Sequence, residues 1–254
     1  MKMKNILKEN ISNNIPFAGV TLNFGSTRAT EILARAGFDF LMVDYQHGNF
    51  DKNSATDSIH AILATNTIPL ARVAANTPDA INDVLDSGAM GVVIPMVENA
   101  ADAYSAVRAA LYSPLGKRSK GGAAPIIYGD DYAEKSNAEI MIIIMIETVD
   151  GLNNIDEILA VGGITACLIG SSDLSLDMKC DRDSDELRAA IRKIIEAGEK
   201  YGIPIGSAVG TVTEITKFPE PRPAFYLISH DQGLLKAAGS RLSEDVMKAI
   251  GRQG

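Results

Sequence analysis

Charged side chains stand at the ends of several short apolar runs in this chain. The five most informative residues at these positions are Asp44, His47, Arg72, Glu147 and Asp173. Charged groups placed against apolar segments are unfavourable unless a partner or a ligand compensates them. The set contains a base, a fixed cation and carboxylates, so it predicts a reaction centre that handles protons and anions.

The two carboxylates Glu147 and Asp173 indicate a metal site. Two carboxylates that face one cavity repel each other unless a proton or a cation lies between them. The chain has only two cysteines and three histidines, and paired oxygen ligands suit Mg²⁺ or Mn²⁺ better than structural zinc. The alternative is that one carboxylate forms an ion pair with Arg72 while the other caps the following helix.

His47 is the candidate general base. Asp44 lies three residues earlier, where its carboxylate could orient the imidazole ring and stabilise the charged form of the ring. The alternative is an ordinary polar histidine in a loop at the end of a strand.

Arg72 is the candidate anion-binding group, because its guanidinium is always charged and presents a planar fork to a carboxylate or a developing oxyanion. The alternative is a structural ion pair with one of the nearby acids. His230 and Asp231 end another apolar run and are secondary candidates, since Asp231 could equally cap a helix.

Apolar runs and helix-like segments alternate along the chain. Residues 141–146 are all apolar, which indicates a strand buried on both faces, as in a parallel sheet covered by helices. We predict strands at residues 17–22, 38–43, 68–72, 91–95, 140–147, 166–170, 203–207 and 224–229. After a short helical stretch within residues 1–14, we predict helices at residues 26–36, 53–65, 77–87, 100–111, 152–160, 184–201, 211–217 and 232–238.

Eight strand–helix units in 254 residues predict a single α/β domain over residues 1–254, folded as a (β/α)8 TIM barrel. A doubly wound open sheet is the alternative. Catalytic residues of such barrels lie at the carboxyl ends of the strands. The charged residues at the ends of the apolar runs are therefore expected to meet at one rim.

The composition restricts the partners of the chain. It has 24 lysines and arginines against 32 aspartates and glutamates, a net charge of −8, which disfavours nucleic acid. No apolar run approaches the roughly 20 residues of a membrane helix, and no signal-peptide pattern is present. Cys167 and Cys180 are expected to be free thiols. We therefore expect a cytoplasmic protein that binds neither nucleic acid nor membranes.

Residues 113–137 interrupt the alternation with a Gly- and Pro-rich stretch that carries Lys117, Arg118 and Lys120. Structureless segments of this length are uncommon and usually functional. Two hypotheses remain open: a lid or anion-contacting loop over the barrel mouth, and an arm that packs against another subunit.

The chain resembles the HpcH/HpaI aldolase family, the class II pyruvate aldolases that act on 4-hydroxy-2-oxoheptanedioate and 2-keto-3-deoxy sugar acids. The resemblance covers nearly the whole chain, and it depends on the order and spacing of several segments together. These segments are AGFDF at 36–40, DYQHG at 44–48, PLARV at 69–73, LDSGA at 85–89, IPMV at 94–97, PLGKR at 114–118, IET at 146–148 and LIGSSDLS at 168–175.

The resemblance implies a pyruvate-type barrel enzyme that reversibly cleaves a 4-hydroxy-2-oxo acid to pyruvate and an aldehyde through a metal-stabilised enolate. It places a divalent metal (Mg²⁺ or Mn²⁺, with Co²⁺ a further candidate, and no organic cofactor) on the two carboxylates. It assigns the base to His47 with Asp44 nearby, and enolate stabilisation to Arg72. Backbone N–H groups of Ser172 and Asp173 would bind the pyruvate carboxylate, because successive amides in a turn attract anions.

The resemblance also implies a homo-oligomer, a trimer or a hexamer. The family has an aspartate that tunes the base, and it falls on Asp86. Asp86 precedes the fourth predicted strand, so it is expected at the wrong rim of its own barrel. It could reach His47 only from a neighbouring subunit.

The chain departs from the family pattern at three positions. Gln46 replaces a glutamate, Met145 replaces a glutamine beside the metal site and the substrate, and Ser119 replaces a glycine. These differences keep two alternatives open. One is another 2-oxo-acid lyase, such as an oxaloacetate decarboxylase or a citramalyl-type lyase, and the other is a catalytically silent barrel that binds a 2-oxo acid.

Overall fold

Eight parallel strands form a closed barrel, as the sequence predicts. The computed structural model describes residues 3–218 and 220–252. The strands are β1 (Phe17–Leu22), β2 (Phe40–Asp44), β3 (Ile68–Arg72), β4 (Gly91–Ile94), β5 (Met141–Ile146), β6 (Ala166–Ile169), β7 (Ile205–Val209) and β8 (Phe225–His230). Each strand pairs with the next in chain order, and β8 pairs with β1. The ends differ from the predicted ends by at most two residues.

Helices surround this barrel and follow its strands. They are α1 (Ile6–Ser12), α2 (Thr27–Leu33), α3 (Lys52–Leu63), α4 (Pro78–Asp86), α5 (Ala100–Ala110), α6 (Ala124–Tyr128), α7 (Tyr132–Glu139), α8 (Val149–Asn153), α9 (Ile155–Leu159), α10 (Ser171–Asp177), α11 (Asp185–Tyr201), α12 (Val212–Lys217) and α13 (Asp231–Ala249). The helix predicted at 152–160 is two short helices, α8 and α9. The prediction omits α6, α7 and α10, and it ends α13 eleven residues too early.

Aromatic side chains contributed by neighbouring strands pack together in the buried core of the barrel. The rings of Phe17 and Phe225 stack with their centroids 5.1 Å apart, and Phe40 meets each of them edge-on. Gly206 on β7 leaves room for the Phe225 ring, because a Cβ atom at residue 206 would overlap that ring. These bulky residues fill the interior, as expected for a barrel of this type.

The segment 113–137 lies at the amino-terminal end of the barrel. The Ala123 N–H donates to the carbonyl oxygen of Asp86 at 2.9 Å, and the Tyr128 hydroxyl donates to that of Gly88 at 2.7 Å. Residues 86–88 connect the end of α4 to the start of β4, so they lie opposite the carboxyl ends of the strands. The hypothesis of a lid over the chain's own barrel mouth is therefore wrong, and the arm remains a prediction.

The last helix, α13, is exposed along most of its 19 residues. In the described part of the chain, Asp231 is its only buried residue. Leu235, Leu242 and Val246 have exposed fractions of 64%, 66% and 44%, and their spacing places them on one helix face. Among the residues that the structure describes, no helix combines the length and apolar character needed to cross a membrane.

We predict that Gly206→Ala destabilises the barrel, because the added methyl group overlaps the Phe225 ring in a packed interior. Overpacking of this kind lowers the free energy of unfolding by about 1–3 kcal/mol. Gly162→Ala is the matched control, since its Cβ would have no heavy atom within 4 Å. Urea denaturation of both variants checks the prediction, and equal stabilities would contradict it.

Candidate active site

An ion pair between neighbouring strands forms the base of the site. The register of β2 and β3 places Asp44 opposite Arg72 at the carboxyl ends of both strands. Arg72 Nε lies 2.9 Å from Oδ1 of Asp44, and Nη2 lies 2.7 Å from Oδ2. Asp44 is fully buried and Arg72 is nearly so. Burial by itself would raise the pKa of Asp44, but the Arg72 guanidinium and the backbone N–H groups of His47 and Gln46 together outweigh burial and hold the pKa below its ordinary value.

Asp44 does not orient the His47 ring in the way the sequence suggests. Its Oδ1 atom accepts hydrogen bonds from the backbone N–H groups of Gln46 and His47, at 3.0 and 3.3 Å. Within the described residues, the imidazole ring of His47 takes part in no hydrogen bond, and the residue is exposed. The expected ring contact is therefore wrong. Asp44 instead fixes the backbone turn from which the His47 ring projects.

Asn23, which follows β1, is a site residue that sequence reasoning missed. Its side-chain amide donates to Oδ2 of Asp44 at 2.9 Å. Its backbone N–H and that of Phe24 donate to the two carboxylate oxygens of Asp231, at 2.9 and 3.0 Å. A polar residue directly after the first strand was the signal available in the sequence.

Asp231 is not the helix cap that the sequence suggested. The N-cap of α13 is His230, whose Nδ1 accepts a hydrogen bond from the Gly233 N–H at 3.1 Å. Asp231 instead joins the end of β8 to the loop after β1, and both secondary candidates are thus accounted for by local structure.

Glu147 follows β5 and is almost completely buried, with 2% of its surface exposed. Its Oε1 atom accepts a hydrogen bond from the Met96 N–H at 2.8 Å. Met96 follows β4 with a φ of +54°, a left-handed backbone conformation that is uncommon for residues other than glycine. This backbone conformation accompanies an amide that points directly at the carboxylate.

Several of the predicted site residues shift the pKa of Glu147. Burial is the largest effect and raises the pKa of Glu147; the Met96 N–H opposes it and the Asp173 carboxylate adds to it. Arg72 and His47 lower the same pKa through their charges. Asp173, Arg72 and His47 therefore all lie close enough to Glu147 to act on its charge.

Gly170, at the start of the loop after β6, provides the space beside Glu147. A Cβ atom there would lie 2.5 Å from Cβ of Glu147, 2.8 Å from its Oε2 and 3.3 Å from Cε of Met145. The methyl group of Met145 and the second oxygen of Glu147 therefore approach the same point. Met145 is an apolar wall of the site at this position.

The donor set fits a hard divalent cation. In the part of the chain that the structure describes, neither Oε2 of Glu147 nor the Asp173 carboxylate accepts a hydrogen bond from a protein group. The alternative of a structural ion pair between Arg72 and a nearby acid is confirmed for Asp44, whereas the alternative in which Arg72 pairs with Glu147 or Asp173 is wrong. The described residues contain no cluster of three or more metal-ligating side chains. Two oxygen ligands with other positions left for water and substrate suit Mg²⁺ or Mn²⁺.

The remaining predicted site residues lie at opposite rims of the barrel. Ser172 and Asp173 occupy the first turn of α10, where backbone N–H groups have no acceptor within the helix. Asp86 ends α4 at the opposite rim, as expected, and forms an ion pair with Arg118 at 2.6 Å. Within one copy of the chain, Asp86 is separate from the other site residues.

We predict that Asp44→Asn lowers the free energy of unfolding by about 3 kcal/mol, because it leaves the buried Arg72 charge without its partner. The exposed pair of Asp156 and Lys200 supplies the control, and Asp156→Asn should cost less than about 1 kcal/mol. Urea denaturation at neutral pH measures both, and similar losses in the two variants would contradict the prediction.

The same pair gives a pH dependence. Asp44 has a lowered pKa in the folded state, so its stabilisation is present above the ordinary carboxyl pKa and is lost as the pH falls through the lowered value. The stability difference between the wild type and Asp44→Asn should therefore narrow below about pH 4. A difference that stays constant down to acid unfolding would argue against this assignment.

Comparisons with known proteins agree with this geometry. A model of the HpcH/HpaI aldolase/citrate lyase family matches residues 20–219. The chain is 31% identical to 4-hydroxy-2-oxo-heptane-1,7-dioate aldolase of Escherichia coli (95% of this chain, 94% of the relative), and 33% identical to 2-dehydro-3,6-dideoxy-6-sulfogluconate aldolase of Pseudomonas putida (92% and 93%). The crystal structure of an HpcH/HpaI aldolase/citrate lyase family protein from Burkholderia cenocepacia superposes with a TM-score of 0.91 at 27% identity, covering 96% of this chain and 99% of the other. The chain therefore belongs to the HpcH/HpaI aldolase/citrate lyase family, and it is a lyase.

Proposed function

We propose that the protein is a divalent-metal-dependent aldolase that reversibly cleaves a 4-hydroxy-2-oxo acid to pyruvate and an aldehyde. The observation that carries the proposal is the buried Glu147, which has one unpaired oxygen and the Asp173 carboxylate close enough to raise its pKa. Relatives with aldolase activity on different substrates support the reaction type. These site residues would bind the 2-oxo acid part of the substrate, which is the part released as pyruvate.

Glu147 and Asp173 would hold the metal, with Mg²⁺ or Mn²⁺ as first choices and Co²⁺ as a further candidate. When bound, the cation would act as a Lewis acid toward the carboxylate and keto oxygens of the 2-oxo acid. The backbone N–H groups of Ser172 and Asp173 would donate to the substrate carboxylate, because the first turn of a helix attracts anions. The site requires no organic cofactor for this reaction.

Arg72 would stabilise the negative charge that develops on the keto oxygen. A guanidinium has five N–H groups, and Asp44 uses two of them. The remaining N–H groups are available to the substrate. Because the bidentate pair fixes the plane of the guanidinium before the substrate arrives, little reorganisation is needed when the charge forms.

His47 would act as the general base. Its imidazole takes the proton of the C4 hydroxyl, and the electrons left on that oxygen form the aldehyde C=O bond as the C3–C4 bond breaks. The electrons of the C3–C4 bond form the C2–C3 double bond, and the π electrons of the keto group move to the C2 oxygen, which gives the enolate. The aldehyde leaves with C4, and the enolate regains a proton at C3 to give pyruvate. The reverse of this last proton transfer exchanges the methyl protons of pyruvate with solvent.

Met145 and Gln46 bear on which aldehyde the enzyme accepts. Met145 offers an apolar thioether beside Glu147 and no hydrogen bond to a substrate hydroxyl group. Gln46 has a buried side-chain oxygen without a hydrogen-bond partner among the described residues. These two positions, where the chain departs from the family pattern, are the ones at which we expect its substrate preference to differ from that of its relatives.

We propose that the chain assembles as a homo-oligomer, a trimer or a hexamer, in which Asp86 belongs to the active site of a neighbouring copy. The exposed apolar face of α13, formed by Leu235, Leu242 and Val246, supports the assembly because such faces are usually covered in solution. The His47 ring supports the role of Asp86, since no carboxylate among the described residues of its own copy forms a hydrogen bond with the ring.

The direct test is the exchange of pyruvate methyl protons in D₂O. We expect exchange with Mg²⁺ present and none after chelation. We expect Glu147→Gln to slow exchange by at least the roughly 10–100-fold that loss of a partner of a metal ligand causes, because here a ligand itself is lost. NMR after quenching with a chelator measures the rate. Glu157→Gln, on the exposed surface of α9, should leave the rate unchanged. Exchange that persists both in chelator and in Glu147→Gln would overturn the metal assignment.

Exchange does not identify the cleaved substrate, so a second assay separates the candidate lyases. We expect pyruvate release from 4-hydroxy-2-oxo acids across a panel of aldehyde partners. Exchange together with turnover of oxaloacetate, but without release from any member of that panel, would favour an oxaloacetate decarboxylase on the same enolate. Binding of pyruvate and metal without exchange would indicate a silent barrel.

We predict that Gly170→Ala weakens metal binding, since the new Cβ would lie 2.8 Å from Oε2 of Glu147 and displace that side chain. The Mn²⁺ dissociation constant should rise by about tenfold or more. Titration calorimetry with Mn²⁺ alone measures the effect without requiring a substrate. Gly162→Ala again serves as the control, and equal Mn²⁺ affinities for the two variants would refute the assignment of Glu147.

A further inference from the structure

Arg118 is a fully buried cation in the segment 113–137, and its side chain has 0% of its surface exposed. Its guanidinium carbon lies 4.8 Å from the ring centroid of Tyr112 and 5.3 Å from that of Tyr132. Nη1 donates to the Tyr132 hydroxyl at 2.9 Å, and Nη2 donates to Oδ1 of Asp86 at 2.6 Å. A buried charge is unfavourable unless partners with good geometry compensate it. These contacts therefore fix the position of the guanidinium.

The Asp86 side chain is fixed through only one of its two carboxylate oxygens. Arg118 binds Oδ1, the Ala123 N–H binds the Asp86 carbonyl oxygen at 2.9 Å, and the backbone of Gly122 packs against the side chain so closely that a Cβ there would overlap it. Among the described residues, no group donates a hydrogen bond to Oδ2. The side chain keeps 26% of its surface exposed. One oxygen is therefore fixed, and the other is presented outward at the amino-terminal rim.

The active site of one copy lacks a group of this kind. Asp44 accepts five hydrogen bonds, from Arg72, Asn23 and two backbone N–H groups, and none from the His47 ring. A general base of this type works best when a carboxylate orients its ring. A fixed carboxylate with one free oxygen on a second copy would complete the site.

We propose that Arg118 is a positioning residue, which holds Oδ1 of Asp86 so that Oδ2 meets the His47 ring of a neighbouring copy. The inference rests on the proposed function, in which Asp86 serves an active site across the interface. Tyr112 and Tyr132 belong to the same device, because their rings enclose the guanidinium and the Tyr132 hydroxyl accepts one of its N–H groups.

A double-mutant cycle tests whether Arg118 acts through Asp86. The reaction is exchange of pyruvate methyl protons with Mg²⁺ in D₂O, measured for Arg118→Met, Asp86→Asn and the double variant. Each single change should lower kcat by about tenfold, a part of the 10²–10⁴-fold that a base contributes, with KM for pyruvate unchanged. The double variant should be no slower than Asp86→Asn. Losses that multiply would show independent roles and overturn the proposal.

Milder variants keep the test valid if Arg118→Met folds poorly. Tyr132→Phe retains the ring and removes only the hydroxyl group that contacts Arg118, so it should give a smaller fall in kcat and none in the Asp86→Asn background. Arg188→Met removes an exposed arginine paired with Asp185 and should leave kcat unchanged. A fall in the Asp86→Asn background, or an equal fall in the control, would contradict a positioning role.

Mixed oligomers decide whether the device acts across the interface. Differently tagged His47→Ala and Arg118→Met chains are co-expressed, and hetero-oligomers are isolated through both tags. A site with an intact His47 then receives an intact Arg118–Asp86 pair from its neighbour, and about a third of the sites in mixed trimers, or about a quarter in mixed hexamers, should regain wild-type exchange.

The possible failures are distinct. A wild type without exchange would overturn the proposed function and this inference with it. An active wild type whose mixed oligomers stay as slow as the Arg118→Met parent would show that Arg118 acts within its own copy. If the two tagged chains do not associate and no hetero-oligomer is recovered, Arg118 cannot act across an interface, and the proposal is overturned. Recovery of exchange in the mixture is the result that supports the proposal.

Discussion

The bidentate ion pair between Asp44 and Arg72 determines much of the rest of the site. A carboxylate with no exposed surface is stable only when all its oxygens are compensated, and the strand register places the compensating guanidinium directly opposite. Asp44 also fixes the turn that carries His47 and the side chain of Asn23. Through Asn23 the constraint reaches Asp231 after β8. One buried charge thus connects the ends of four neighbouring strands, β8, β1, β2 and β3.

Because of this pair, two groups at the site lack a partner within the described part of a single copy. Because Arg72 is committed to Asp44, no arginine neutralises Glu147, whose buried carboxylate has Asp173 as an acidic neighbour. A cation is the physical solution that uses both acids. Because Asp44 is itself fully occupied, the His47 ring lacks an orienting carboxylate. We propose a metal ion as the partner of the two carboxylates and a second copy of the chain as the source of the partner of the His47 ring.

The sequence predicts the barrel well, since its strands and helices follow local patterns. Apolar runs locate every strand because burial on both faces requires continuous apolar residues, and strand ends locate Glu147 and Arg72 because the fold gathers those ends at one rim. The partner of Asp44 is not predictable in this way. It depends on which residues of two strands stand opposite each other, a register that one sequence does not display.

Features that depend on contacts distant in the sequence are also missed. The path of the segment 113–137 is set by Arg118 binding Asp86, 32 residues earlier, and by Tyr128 binding Gly88. The left-handed backbone of Met96 accompanies a hydrogen bond to Glu147, which follows the next strand and lies 51 residues later. The length of α13 has a different cause, because its apolar residues contact little within the described chain and give no clear end signal.

The two arginine–aspartate pairs differ in a way that separates their roles. Arg72 uses two N–H groups on the two oxygens of Asp44, and Asn23 and the backbone N–H groups of Gln46 and His47 donate to the same two oxygens, so all the acceptor positions of that carboxylate are used within its own copy. Arg118 contacts a single oxygen of Asp86, and its other contacts are with tyrosines instead of the acid. A pair that served only to stabilise the fold would gain from the second contact. Under our proposal, the free oxygen of Asp86 is the one that accepts a hydrogen bond from the neighbouring copy.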